Sequence, residues 1–305
     1  MSIFQMDEEK PKYKIAAVVV TFNRLTLLQE CIESLRNQTH TLDEIIIVNN
    51  SSTDGTLEWL NAQKDLTVIT QENSGSAGGQ HTGIKTAYEK GYDWIWCMDD
   101  DCVVMNNSLA DLIKNIQPNT VLNCLVLSKS DTNYLAFGVY DLIDKIFYEK
   151  TNEIEKKKKL EYASLFNGTL FPSEVIKKIG FPIQELFIKG DEIEYFHRIR
   201  KNNFKAATIV ISHLFHPSPK LKVIKTAFFN HRFEFLDYKR RYFRARNFVF
   251  NYRNYHNFSV KSFLKILFLD LYVIIFYQKN IRILMNNIRG LLVGLFVNYE
   301  IKYPN

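Results

Sequence analysis

Short apolar runs that alternate with helical spacing constrain this chain more than any other feature. Residues 15–21 (IAAVVVT), 44–48 (EIIIV), 66–70 (LTVIT) and 94–98 (WIWCM) each have the length of one strand, and the first is continuously apolar and rich in β-branched side chains. A strand that is apolar on both faces has to be covered on both faces. Between the first two runs, Leu27, Leu28, Cys31, Ile32 and Leu35 fall on one helical face, and residues 54–61 read as a short helix. A small-residue loop at 74–79 (SGSAGG) leads into a further helix that ends near Lys90. Strands alternating with helices predict βαβ units, and so an α/β fold built on a mainly parallel, doubly wound sheet. Such sheets take ligands beyond the carboxyl ends of their strands. Polar clusters stand at three of those ends, in residues 21–24, 49–54 and 99–101.

The second half is less regular. Residues 164–171 and 206–212 read as strands, 174–179 as a short helix, and the lysine run at 156–159 as a solvated turn. From residue 221 the pattern turns helical, basic and aromatic. The overall charge of +6 hides an asymmetry: residues 222–305 hold 15 Lys and Arg against 4 Asp and Glu, a net of +11, which leaves −5 for the rest. A basic tail on an acidic body calls for an anionic partner, either nucleic acid or an anionic membrane surface. Residues 263–277 (FLKILFLDLYVIIFY) contain Lys265 and Asp270 and fall short of the roughly 20 apolar residues of a membrane span. They fit an amphipathic helix lying on a membrane surface, or a tail helix packed on the body or in a dimer. The aliphatic content speaks against nucleic acid, whose grooves call for cations and stacking rings. Four cysteines without CxxC spacing suggest neither a zinc site nor a disulfide framework, and the charged N-terminus suggests no secretory leader, so a cytoplasmic protein is expected.

Three stretches carry candidate chemistry. Asp99-Asp100-Asp101 directly follows a buried strand. In an extended segment the first and third side chains point the same way, so Asp99 and Asp101 can converge on one cation, and carboxylates suit Mg²⁺ or Mn²⁺; a solvated acidic turn is the other reading. Residues 189–195 (KGDEIEY) put carboxylates ahead of a helix, as dipole partners or as a general base. Residues 212–217 (SHLFHP) follow a strand and offer His213 and His216, structural groups or a ligand of Mn²⁺.

VVVTFNR (18–24), IIIVNNSSTDGT (45–56), ENSGSAGGQHTGI (72–84), WIWCMDDD (94–101), FNGTLFPSEVIKKIGFP (166–182), LFIKGDEIEYFHRI (186–199) and TIVISHLFHP (208–217) occur together and in order. KRRYFRARNFVFNYR (239–253) and NNIRGLLVGL (286–295) follow. In these stretches the chain resembles the inverting family 2 glycosyltransferases of the GT-A fold, most of all galactofuranosyltransferases and next rhamnosyltransferases. The resemblance implies a catalytic domain over 1–220, with a nucleotide-binding half at about 13–127 and an acceptor half at about 128–220, and a helical extension over 221–305. It implies that Thr21, Asn23, Arg24, Asn49, Asp54, Gly75, Ser76, Ala77, Gly78, Asp99 and Asp100 border the nucleotide-sugar donor, with Asn49 near the base. Asp99, Asp101 and His216 would hold Mn²⁺ or Mg²⁺. Glu192 falls at the position of the base, with Asp191 as its rival, and Glu194 would contact acceptor hydroxyls. The implied reaction moves a sugar, best matched by UDP-galactofuranose and otherwise by dTDP-rhamnose, to a glycan or lipid-linked glycan. It would take place at the inner face of the cytoplasmic membrane, in cell-surface polysaccharide synthesis. An inactive nucleotide- or glycan-binding module is the reading from another class, and the intact aspartate trio and GDE block argue against it.

Overall fold

The computed structural model of the chain describes residues 13–225, 230–255 and 259–304. The first twelve residues, read above as carrying no leader, lie outside the described residues, as do short pieces of the extension. Strands β1 (Ile15–Thr21), β2 (Glu44–Asn49), β3 (Leu66–Thr70) and β4 (Trp94–Asp99) run parallel in the order β3-β2-β1-β4. Helices α1 (Leu25–Arg36), α2 (Thr56–Asn61) and α3 (Gly75–Glu89) make the crossovers. All seven residues of β1 are buried because each of its faces has its own core. Ile15, Ala17 and Val19 pack with Leu28 and Ile32 of α1, whereas Ala16 and Val18 pack with Ile84 and Ala87 of α3.

Beyond β4 come β5 (Val103–Val104), α4 (Ser108–Ile113), β6 (Thr120–Ser128), β7 (Tyr134–Asp141), β8 (Ile146–Lys150), β9 (Lys159–Leu160), β10 (Asn167–Pro172), α5 (Ser173–Ile179), α6 (Asp191–Lys201) and β11 (Lys205–His216). Strand β10 slips antiparallel between β4 and β6, and β11 lies parallel to β6, so the sheet continues β4-β10-β6-β11-β5. The expected α/β class and mainly parallel sheet flanked by helices are what the chain forms. Strand β11 is longer than its apolar run suggested. Its register on β6 jumps between Ile209 and His213, a bulge that bends the strand and sets His216 opposite Ser128.

The small-residue loop expected at 74–79 is largely helix instead: α3 begins at Gly75. Gly75, Gly79 and Gly83 recur every four residues and so share one face. A Cβ on Gly79 would strike Val20, and one on Gly83 would strike Val18. Their absence lets α3 lie directly on β1, which offsets the poor helix propensity of glycine.

The extension opens with a hairpin that the sequence reading took for helix: β12 (Leu221–Lys225) pairs antiparallel with β13 (Asn230–Glu234). Then follow α7 (Tyr238–Tyr255), α8 (Val260–Val273), which runs on as a π-helical stretch at Ile274–Gln278, and α9 (Ile281–Phe296). Helix α9 crosses α7 through two glycines. A Cβ on Gly290 would meet the Tyr242 carbonyl and Ala245, and one on Gly294 the Arg246 carbonyl and Val249. On α8, Leu269 and Val273 join Ile224 and Phe233 of the hairpin in a small core. Asp270 accepts from Arg241 and Arg244, both at 2.6 Å. No helix among the described residues is long and apolar enough to cross a membrane.

Candidate active site

The parallel half of the sheet brings the ends of β1 and β4 side by side, with Val20 opposite Asp99. The chain turns after Asp99, so the strand alternation that would aim Asp99 and Asp101 at one point does not apply, and the three carboxylates fan out. Asp99 Oδ1 faces α3, 3.5 Å from Ser76 Oγ and 3.4 Å from Gln80 Nε2. Asp100 accepts from the Thr21 hydroxyl at 2.8 Å and from Arg24 at 3.0 Å. Asp101 accepts from the same Arg24 nitrogen at 2.8 Å and stands 3.0 Å from His216 Nε2. Burial, then the charges of Asp101 and Asp100, push the Asp99 carboxyl up to about 7.

His216 Nδ1 donates to the Pro217 carbonyl at 2.7 Å, which turns Nε2 toward Asp101. Asp101 Oδ1 is buried, and the His216 imidazole is the group that faces it. A buried carboxylate oxygen facing an imidazole nitrogen is a pair that a divalent cation could bridge. Among the described residues the ligating atoms of Asp101, Cys102 and His216 lie within 4.8 Å of one another, and Asp99 is not among them. Burial pushes the Cys102 thiol far up, which keeps it a poor ligand for Mn²⁺ or Mg²⁺. His213 is not part of this group; its main-chain carbonyl accepts from Ser108 Oγ at 2.6 Å.

Asp99 and Asp100, but not Asp101 or His216, line a cavity of about 660 Å³, within the usual range for small-molecule sites. Thr21, Arg24, Gly75, Ser76, Asp99 and Asp100, six of the residues expected to border a donor, line it. Five other expected donor contacts do not. Asn23 sits at φ 53° and accepts the Thr53 N–H at 2.6 Å. Asp54 holds the start of α2 through the Thr56 N–H at 3.2 Å and accepts the Leu25 N–H at 3.1 Å. Asn49 is fully buried, with Oδ1 accepting the Ser52 N–H, and its neighbour Asn50 reaches the cavity instead. Ala77 and Gly78 are buried within α3. Sequence reasoning missed Phe22, Asn50, Asn73, Phe187 and Ile188, and also Asp237, Lys239, Arg240 and Phe243 from the start of α7. The cluster of cations and rings at 239–246 was the available signal for the last group.

The loop that leads into α6 closes one side of the cavity. Phe187 stacks on Phe243 with centroids 4.6 Å apart. Gly190, at φ 103°, caps α6, and Asp191 and Glu192 occupy its first turn. Glu192 Oε2 accepts the Gly190 N–H at 2.9 Å. Burial, then the charge of Glu192 and a hydrogen bond to it, drive the Asp191 carboxyl well above the carboxylate range, and the charge of Asp99 adds to the effect. The shift favours the protonated form of Asp191 beside Glu192. Neither Asp191 nor Glu192 is among the residues that line the cavity, and Glu194 is set deeper still. It is fully buried, accepts from Arg198 Nε at 3.0 Å and NH2 at 2.6 Å, and also takes the Tyr255 hydroxyl. The expected acceptor contact is corrected to a scaffold role, because no surface of this carboxylate remains for a ligand.

The family model described as "Glycosyl transferase family 2" matches residues 16–175. Galactofuranosyltransferase GlfT1 of Mycobacterium tuberculosis (strain H37Rv) is 29% identical over 214 residues, which span 67% of this chain and 70% of that protein. The structure of Staphylococcus aureus TarS 1–349 in complex with UDP matches with a TM-score of 0.54 at 15% identity, over 88% of this chain and 73% of that one. The mannosyltransferase PcManGT from Pyrobaculum calidifontis, in complex with GDP-Man and Mn²⁺, matches with a TM-score of 0.53 at 17% identity, over 93% and 73%. At these identities the two structures speak for a shared fold.

Proposed function

Since this chain belongs to glycosyl transferase family 2, we propose that it moves a sugar from a nucleotide-diphosphate donor to a hydroxyl of a glycan or lipid-linked glycan, with inversion. UDP-galactofuranose is the donor best supported, through the similarity to GlfT1. One observation carries the reading: Asp99 and Asp100, with Asp101 and His216 paired next to them at the carboxyl end of β4, line a cavity whose wall also includes Phe187 and Ile188 of the loop that leads to Asp191 and Glu192.

Arg24, fixed by Asp100 and Asp101, places a permanent positive charge where the donor's diphosphate would lie, and Lys239 and Arg240 add two more on the cavity wall. Positive charge there is worth most as the leaving oxygen becomes anionic. A divalent cation, Mn²⁺ or Mg²⁺, held by Asp101 and His216 would supply the same stabilisation more strongly. Glu192, held by the Gly190 N–H and next to Asp191, takes the proton of the incoming hydroxyl. A single displacement from the face opposite the leaving group inverts the anomeric carbon.

The extension supports a site at the inner face of an anionic membrane. Leu264, Phe268 and Phe276 of α8 and its π stretch, with Ile281, Met285 and Phe296 of α9, are all exposed. Lys261, Lys265, Lys279, Arg282 and Arg289 stand exposed among them. Apolar residues rimmed by cations suit a headgroup interface.

UDP release from UDP-galactofuranose, measured with Mn²⁺ and a glycan acceptor against UDP-galactopyranose and dTDP-rhamnose, tests the reading. Glu192→Gln is expected to reduce turnover by about 100-fold or more. Full turnover by that variant, or equal turnover after chelation of the metal, would overturn the assignment.

A further inference from the structure

We propose that Asn247 and Asn251 of α7 are positioning residues for the acid pair at the start of α6, a proposal that rests on the reading of Glu192 as the base. The loop at 185–190 carries three left-handed residues, Phe187 at φ 66°, Lys189 at φ 63° and Gly190 at φ 103°. Two of these are not glycine, so the backbone relaxes unless its surroundings hold it. The surroundings are one face of α7. The Asn247 side chain, with no exposure at all, points its Nδ2 at the carbonyls of Leu186, Ile188 and Lys189, at 2.9, 3.1 and 2.9 Å. Asn251, one helical turn on, donates to the Gly190 carbonyl at 2.8 Å. Arg246 donates to the carbonyls of Glu185 and Leu186 at 2.7 and 2.9 Å and to Asn247 Oδ1 at 3.0 Å.

Five carbonyls of the loop are thereby turned toward α7. The Gly190 N–H points the other way, to Glu192 Oε2 at 2.9 Å. The side chains of α7 thus set the backbone orientation that presents Glu192 without a hydrogen bond to Asp191 or Glu192 themselves. The residue type fits the task. An asparagine amide donates to carbonyls and brings no charge, whereas a cation so close to Gly190 would alter the charge balance of the two neighbouring carboxyl groups. Packing agrees, since a Cβ on Gly190 would press against Asn247.

The test compares Asn247→Ala and Asn251→Ala with Asn254→Ala. The last residue lies on the same helix, is exposed, and donates only to the Phe250 carbonyl of its own turn. Two readings are taken: amide hydrogen exchange across 187–192, and turnover of UDP-galactofuranose. The two anchor variants should exchange about tenfold faster in that loop, with β1 and β4 unchanged. Their kcat should fall about tenfold or more while KM for the donor stays within about twofold. Asn254→Ala should change neither. Unchanged exchange in both anchor variants overturns the proposal, and so does faster exchange with unaltered kcat. If the Asn247 variant fails to fold, Asn251→Ala, which loses a single bond, carries the same comparison. Should the wild-type protein turn over no donor, the functional reading fails by itself. The exchange arm then decides the anchoring: a faster loop upholds it and an equal one overturns it.

Discussion

Replacing Glu194 by alanine separates a scaffold carboxylate from an acceptor-binding one. The side chains of Glu194 and Arg198 are only 1% and 2% exposed, and they meet through two hydrogen bonds of 2.6 and 3.0 Å. Removing one partner of a buried pair strands the other charge, at a cost of about 3–5 kcal/mol. Here the guanidinium keeps two further acceptors, the carbonyls of Ile179 and Phe181 at 2.9 and 2.8 Å, so the expectation sits at the low end, about 3 kcal/mol. The Tyr255 hydroxyl also loses its acceptor. For a chain of this size, about 2 °C of melting temperature per kcal/mol translates that loss into about 6 °C. Glu194→Gln keeps the shape and one acceptor oxygen and should lose about half as much. Thermal and denaturant unfolding of both variants, alongside KM for the acceptor, make the assay. A Glu194→Ala protein that melts with the wild type but binds acceptor poorly would refute the argument and return this residue to the ligand site.

Two further outcomes are expected. Phe268→Glu together with Phe276→Glu should weaken co-sedimentation with phosphatidylserine vesicles by about tenfold or more, since two large exposed apolar side chains would be lost; unchanged binding would show that this face meets no lipid. His197 is pulled down to about 4, by burial first and the charge of Arg200 second, against 6.5 in the unfolded chain. The unfolded state therefore binds the extra proton first as pH falls. This contribution to stability is intact above pH 6.5 and is lost on the way to 4, so His197→Gln should flatten the acid side of the stability curve, measured as denaturant midpoints across that range.

Much of the framework could be read from residue order. The first four strands announce themselves because a strand buried on both faces has no polar residue to interrupt it, as β1 demonstrates, and the polar clusters at their ends mark where a ligand must lie. The direction of single side chains was less accessible. Asp99 and Asp101 part company because the strand stops between them, a matter of one hydrogen-bonded pair that no pattern encodes. The Gly75, Gly79 and Gly83 spacing was visible, yet loop propensity outweighed it; only contact with Val18 and Val20 explains a glycine-lined helix face. Asn49 came from the resemblance alone; the structure buries it and leaves its neighbour Asn50 on the cavity wall, a choice that pleating makes and residue type does not. Phe243 and Arg240 lie more than 200 residues from Thr21, so their place on the same wall depends on tertiary packing.

The glycine crossing between α9 and α7 has a consequence for how such a protein can vary. Gly290 and Gly294 seat α9 on main-chain carbonyls of α7, so its seat is set by backbone geometry more than by side-chain volume. The outer flank of α9 is released from any duty toward the interior. Substitutions there can retune which surface the protein adheres to while Phe243 and Asn247 stay put, so adhesion and chemistry are free to evolve as separate modules on one helical pair.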